Sequence, residues 1–188
     1  MPWKSLFLIA LLGCTLALFG GIRTASTIER IQEAFGMRLG MEFAPTDDPR
    51  SYTTLDGERA YFFTPVSPAR SFDYYMVQIT PVTHQIYTII AVGKSGDVQT
   101  CRNVRAAMMG SLMETYGPST KLGPVRGFEF EIDYEVILQP DTRRGVAIVC
   151  GGIAPIILQM LYVDNALAQL ADQERFQLES ATPSRRAL

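Results

Sequence analysis

The chain has 188 residues, of which 47% are hydrophobic and 19% are charged. This excludes a disordered chain and predicts one domain, or two small ones, with a core of its own. The 17 basic and 19 acidic residues give a formal net charge of −2, and such an acidic balance does not favour nucleic acid as a partner.

The N-terminus contains an uncharged apolar run. Residues 5–22 read SLFLIALLGCTLALFGGI, with Lys4 before the run and Arg23 after it. A basic start followed by about 18 apolar or small residues is typical of a secretory signal, and it also lies at the lower limit for a membrane-spanning helix. Residues 1–25 are therefore predicted to be a signal peptide or a membrane anchor.

Three alternatives remain open for this segment. Thr15-Leu16-Ala17 has the small-x-small pattern of a signal peptidase site. Leu11-Leu12-Gly13-Cys14 resembles a bacterial lipobox, which makes Cys14 a lipidation candidate, although the chain stays apolar after it. The unbroken apolar length slightly favours the third alternative, an uncleaved anchor. The predicted location is the periplasm or cell envelope of a bacterium, either anchored in the inner membrane or secreted after cleavage.

The first predicted helix covers residues 26–36. Ser26 and Glu29 form a capping box, and Gly36 is placed to end the helix. The apolar residues at helical spacing are Ile28, Ile31, Ala34 and Phe35. A loop rich in Asp, Thr and Pro is predicted at residues 46–58.

Three strands and a second helix follow. The strands are predicted at residues 59–64, 72–80 and 85–92, because Tyr, Val, Ile and Thr predominate there. The helix is predicted at residues 100–116 and is stopped by Gly117-Pro118. Its inward side chains are expected to be Val104, Ala107, Met108, Leu112 and Met113.

The second half repeats this mixture of elements. Strands are predicted at residues 127–138, 146–150 and 155–163, with a turn at residues 139–145. A last helix starts with Asp164 as its cap and buries Leu167, Leu170 and Ala171. Residues 26–179 then form the exported domain, and residues 180–188 form a disordered tail.

These elements predict an α+β fold, with an antiparallel sheet of about six strands and helices packed on one face. Residues 79–90 and 138–149 also align without gaps, with His84 opposite Arg143. This echo raises the hypothesis of two degenerate helix-plus-hairpin units; two unrelated Pro-x-Thr turns are the alternative. At the level of topology alone, such units resemble small exported inhibitors and envelope lipoproteins that bind proteins across an open sheet.

The two cysteines outside the apolar run are Cys101 and Cys150. An even pair in an oxidising compartment is most simply a disulfide bond, and two unpaired buried thiols are the alternative. The sequence has no C-x-x-C pattern, so a thioredoxin-like redox site is not expected.

The strand at residues 127–138 alternates apolar and acidic residues. Its acidic residues are Glu129, Glu131, Asp133 and Glu135. Alternation sends the carboxylates to one face and Phe128, Phe130 and Ile132 to the other. We call this segment the acid strand. Its carboxylates are expected to face water, either as a plain solvated face or as a docking surface for a basic partner. A catalytic pair or a metal site is the least favoured interpretation, because a straight strand does not converge its oxygens on one ion.

Catalytic chemistry has little support elsewhere. His84 is the single histidine and falls in a predicted turn, and the sequence has no G-x-S-x-G element. One histidine and a predicted disulfide leave too few ligands for zinc. The segment GKSGD at residues 93–97 lacks the spacing of a phosphate-binding loop. We therefore expect no cofactor, no metal and no enzymatic activity.

Aromatic residues supply the remaining functional signal. Consecutive aromatic residues on a strand point to opposite faces, so either Tyr74 or Tyr75 is expected to be exposed beside the acidic residues. Both tyrosines and the acid strand are candidates for contact with a protein partner. The sequence thus predicts a membrane-tethered protein-binding domain, an accessory subunit of an envelope or membrane complex. The alternative is a periplasmic inhibitor or immunity-type protein that caps a basic toxin or enzyme through the acid strand.

Overall fold

The computed structural model describes residues 28–45, 51–53, 58–122, 133–152 and 155–181. The first half contains the strands β1 (Glu33–Ala34), β2 (Met37–Arg38), β3 (Ser51–Thr53), β4 (Arg59–Phe63), β5 (Tyr74–Ile79) and β6 (Ile86–Ser95), followed by helix α1 (Val98–Tyr116). The second half contains β7 (Thr120–Leu122), β8 (Asp133–Gln139), β9 (Arg144–Gly151) and β10 (Ile156–Asp164), followed by helix α2 (Asn165–Ala181).

The dominant feature is an eight-stranded sheet with the strand order β3-β4-β5-β6-β10-β9-β8-β7. Every neighbouring pair is antiparallel. The α+β class and the large antiparallel sheet are therefore confirmed. The six predicted strands correspond to β4, β5, β6, β8, β9 and β10. The two strands that the sequence analysis missed, β3 and β7, are three-residue strands at the edges of the sheet.

The main core lies on one face of this sheet, which we call the inner face. It contains Ile89, Ile148 and Met160 from three adjacent strands, and Met109 of α1 packs with them. The opposite, outer face carries a smaller buried cluster of Ala60, Met76, Ile90 and Val92. Because side chains alternate along a strand, these two sets identify the face of every neighbouring residue.

Helix α1 lies on the inner face. Asp97 is its N-cap and accepts a hydrogen bond from the Thr100 backbone N–H, and Gly117 ends it as predicted. Val104, Met108 and Leu112 pack against the core as expected. The other two predicted inward residues, Ala107 and Met113, are exposed. Met109 was not predicted to face inward but is fully buried.

The predicted helix at residues 26–36 is wrong over its described part. Residues 33–38 form the hairpin β1–β2, and both turn residues have positive φ, 56° at Phe35 and 86° at Gly36. Such a two-residue turn favours glycine, and Phe35 is held in it because its ring packs 4.9 Å from the ring of Tyr75. The backbone N–H of Ile31 donates to Gln139 Oε1 at 2.8 Å rather than to a helical carbonyl.

Helix α2 begins where predicted. Asp164 Oδ1 accepts hydrogen bonds from the backbone N–H groups of Ala166 and Leu167, both at 3.1 Å. Its Arg175 pairs with Glu58, and Glu58 accepts from Gln78, an outer-face residue of β5. Helix α2 therefore contacts the outer face, and the two helices do not share one face as predicted. The helix continues to Ala181, two residues beyond the predicted domain boundary, and residues 182–188 lie outside the described part.

The two segments of the sequence echo form equivalent hairpin turns. The aligned residues His84 and Arg143 both have φ = 54°, and they connect β5 to β6 and β8 to β9. The expected helix-plus-hairpin units are not seen, because the segment before the first hairpin is not helical where it is described. Each half of the chain instead supplies four strands of the sheet and then one helix.

Candidate functional site

Three exposed aromatic rings cross the outer face near the β3 edge of the sheet. Tyr52 on β3, Phe62 on β4 and Tyr74 on β5 are 50%, 38% and 37% exposed. Tyr52 is the cross-strand partner of Ala60, and Phe62 is the partner of Met76, so the rings stand on the same face as the outer cluster. The ring centroids of Phe62 and Tyr74 lie 5.9 Å apart. We call these three residues the aromatic stripe.

The pKa of the Tyr74 phenol is raised, first by burial and then by proximity to Tyr52 and Asp73. Like any tyrosine phenol, that of Tyr74 is protonated at neutral pH and can donate a hydrogen bond. The stripe thus offers apolar ring surface together with hydroxyl groups, a combination common in protein interfaces.

Tyr75, the second predicted contact residue, belongs to the core. It is only 4% exposed, and its ring packs against Phe35, Phe63 and Phe72. Its hydroxyl accepts from the Ala69 backbone N–H at 2.8 Å and donates to the Ala69 carbonyl at 3.2 Å. Tyr75 is therefore not available for surface contact, and Tyr74 is the exposed member of the pair, one of which was expected to be exposed.

In the described part of the acid strand, the carboxylate side chain points to the inner face and not toward water as expected. Glu135 is 7% exposed, and its carboxylate accepts a hydrogen bond from the Ser119 hydroxyl. Side chains alternate along β8, so Glu135 points to the inner face together with the fully buried Ile137. Val136 and Leu138 point to the opposite face. The prediction that Glu135 faces water is wrong. Glu129, Glu131 and the side chain of Asp133 lie outside the described residues.

The predicted Cys101–Cys150 disulfide is confirmed. The two Cα atoms are 5.9 Å apart, a usual separation for a bridged pair. The bond joins α1 to β9 and is buried on the inner face. It therefore fixes the helix to the sheet and does not offer an accessible redox centre. The lipidation candidate Cys14 lies outside the described residues.

Metal-binding groups do not converge in the described part of the chain. His84 is an exposed turn residue, and within residues 28–45, 51–53, 58–122, 133–152 and 155–181 no three His, Cys, Asp or Glu side chains are placed to hold a metal ion. A pocket of about 410 Å³ lies beside the β1–β2 hairpin. Its lining includes Glu29, Glu33 and Tyr116, and burial followed by the two nearby carboxylates raises the pKa of the Tyr116 phenol.

Sequence reasoning missed Tyr52 because it lies in a segment that was predicted to be a loop. The signal that could have found it is the pair of Tyr and Thr residues before the turn-forming Asp56-Gly57, which suits an edge strand. Two further residues that were missed, Glu58 and Arg175, connect α2 to the sheet.

Comparison with protein-family models, curated proteins and solved structures finds no match to this chain. In the portion of the chain that the structure describes, neither helix is long and apolar enough to cross a membrane.

Proposed function

We propose that this chain is an exported, non-catalytic protein-binding domain that is tethered to the membrane by its N-terminal segment. It acts as an accessory subunit of an envelope or membrane complex. The observation that carries the proposal is the aromatic stripe, because three neighbouring rings on a sheet face remain partly exposed. Exposed tyrosine and phenylalanine clusters are characteristic of binding hot spots.

Two further features support export and tethering. Residues 5–22 form the uncharged run described above, whose length and flanks suit a signal or an anchor. The Cys101–Cys150 bond requires an oxidising environment to persist, as found in the periplasm and outside the cell.

The alternative, an inhibitor that caps a basic partner through the acid strand, depends on carboxylates that point outward. Glu135 points inward and is already bonded to Ser119. The aromatic stripe is therefore the stronger candidate surface for a protein partner.

The docking role can be tested with two phenylalanine variants of the full-length protein. Phe62→Ala removes the central ring of the stripe, whereas Phe176→Ala removes a 73% exposed ring from α2. We expect Phe62→Ala to weaken partner binding by roughly 30-fold or more, because truncating a hot-spot residue costs about 2 kcal/mol or more. Affinity purification from the native membrane, followed by titration of the captured partner, measures the effect.

Phe176→Ala should bind like the wild type. Thermal melting of both variants must show that the domain is folded. If folded Phe62→Ala captures the same partner with unchanged affinity, the stripe is not the docking surface.

The predicted topology has its own test. A reporter enzyme that is active only in the periplasm, fused after Leu188, should be active, because the N-terminal run would place the following chain outside the cytoplasm. A reporter that works only in the cytoplasm should be silent at the same position. The opposite pair of results would refute export.

A further inference from the structure

Helix α2 is attached to the sheet mainly through polar contacts. Only Ala171 and Glu174 are buried along its 17 residues, and Phe176 is largely exposed. Most helices in proteins owe their stability to an apolar face packed against the core. In α2 a buried carboxylate occupies the middle of that face, so its attachment has a different physical origin.

The first attachment point is the turn between β5 and β6. The Glu174 carboxylate accepts hydrogen bonds from the Val82 backbone N–H at 2.7 Å, the Thr83 hydroxyl at 3.0 Å and the Thr83 backbone N–H at 3.4 Å. One side chain of α2 therefore satisfies three donors of a turn that lies 91 to 92 residues earlier in the chain.

The second attachment point is Glu58, just before β4. Arg175 Nη1 lies 2.5 Å from Glu58 Oε1. The other oxygen of Glu58 accepts from Gln78 Nε2 at 2.9 Å and from the Tyr87 hydroxyl. Because Glu174 and Arg175 are consecutive, the two attachment points act on the same turn of the helix.

Contacts of this kind exchange with water at small net cost, so a segment held by them opens more readily than one held by apolar packing. We propose that α2 is a strap that opens from the outer face while the eight-stranded sheet remains folded. The Asp164 cap and the first turn stay in place, and the turns that contain Glu174 and Arg175 move away. Opening exposes Gln78, Tyr87 and the amides of Val82 and Thr83.

The uncovered groups adjoin the aromatic stripe. Gln78 is the cross-strand partner of Ala60, and Ala60 is the partner of Tyr52. The open strap thus extends the stripe by a row of hydrogen-bonding groups: two backbone donors at the turn, the Gln78 amide and the Glu58 carboxylate. In the closed strap, Glu174 accepts from the Val82 and Thr83 amides and Arg175 pairs with Glu58.

Hydrogen exchange of the full chain tests the strap directly. In the wild type, the central amides of α2 (residues 171–176) should exchange faster than those of β6 and β10, because they open without the sheet. Glu174→Ala should accelerate exchange of these helix amides about 10- to 100-fold, the range for losing hydrogen bonds to a charged group. Alanine favours helix, so helix propensity cannot produce this acceleration.

Gln173→Ala, which changes an exposed neighbour on the same helix, is the matched control and should leave the rates unchanged. Equal exchange rates in α2, β6 and β10 of the wild type would overturn the proposal, because α2 would then open only with the whole domain. The proposal is also overturned if Glu174→Ala accelerates amide exchange in α2 and β10 equally, or in neither of them. If Glu174→Ala does not fold, hydrogen exchange of Glu174→Gln replaces it, and the comparison of α2 with β6 and β10 in the wild type still tests the proposal.

Discussion

Replacing both Cys101 and Cys150 by alanine is expected to lower the free energy of unfolding by about 4 kcal/mol. The bond closes a loop with a sequence separation of 49 residues, and chain entropy for a loop of about 50 residues gives this magnitude. Typical domains are stable by about 5 to 15 kcal/mol, so the variant would be close to unfolding. Denaturant unfolding at equilibrium, followed by circular dichroism, measures the loss.

The wild type unfolded in the presence of a reductant provides the comparison. Its stability should fall to nearly the value of the double alanine variant, because both lack the same covalent link. If the double alanine variant is less stable than the disulfide-bonded wild type by under about 1 kcal/mol, the bond does little to reduce the conformational entropy of the unfolded chain.

Glu135→Lys is expected to destabilise the domain by about 3 kcal/mol or more. The substitution places a positive charge in a position that is 7% exposed, and burial of an uncompensated charge is costly. It also removes the acceptor of the Ser119 hydroxyl and puts two lysines opposite each other, since Lys121 is the cross-strand partner of Glu135. Thermal and denaturant melts report the change.

Leu138→Lys is the matched control, because it makes the same replacement on the same strand at a side chain that is 57% exposed. Its effect should stay within about 0.5 kcal/mol, the usual range for surface substitutions. Equal melting of the two lysine variants would mean that the Glu135 side chain faces water in solution.

Much of the fold follows from local sequence signals. The alternating and apolar runs identified β4, β5, β6, β8, β9 and β10, because strand composition and flanking turns are local properties. The start of α2 was predictable for the same reason, since the Asp164 side chain caps the backbone only two and three residues later. The disulfide followed from having two cysteines outside the apolar run.

The segment that precedes β1 shows why other predictions failed. Its spacing suits a helix, but its backbone is held by side chains that lie far away in the sequence. Gln139 Nε2 donates to the Glu29 carbonyl at 2.6 Å, and Arg144 Nη1 donates to the Ile31 carbonyl at 3.3 Å. Local pattern cannot reveal partners that are more than 100 residues distant, so tertiary contacts override the propensity.

The prediction that the carboxylates of the acid strand face water was wrong for a different reason. Val136, Ile137 and Leu138 are all apolar, so the C-terminal part of β8 could present either set of residues to the core. Pairing with β9 decides between them: Ile137 lies opposite Val146 in the main core. That register sends Glu135 inward as well, since a strand repeats every two residues. Of the candidate site, only Tyr74 was predicted from the sequence, because the faces of the other two rings depend on how β3 and β4 are paired.

The two halves of the sheet meet only where β6 lies beside β10. On a ribosome, residues 86–95 emerge about 60 residues before residues 156–164. During that interval β6, with its sequence IYTIIAVGKS, has an open edge of unpaired amides and carbonyls and a mostly apolar composition. Such edges recruit strands from other chains. A newly synthesised chain therefore needs protection from aggregation until its last strand arrives, and truncation before residue 156 should yield insoluble protein.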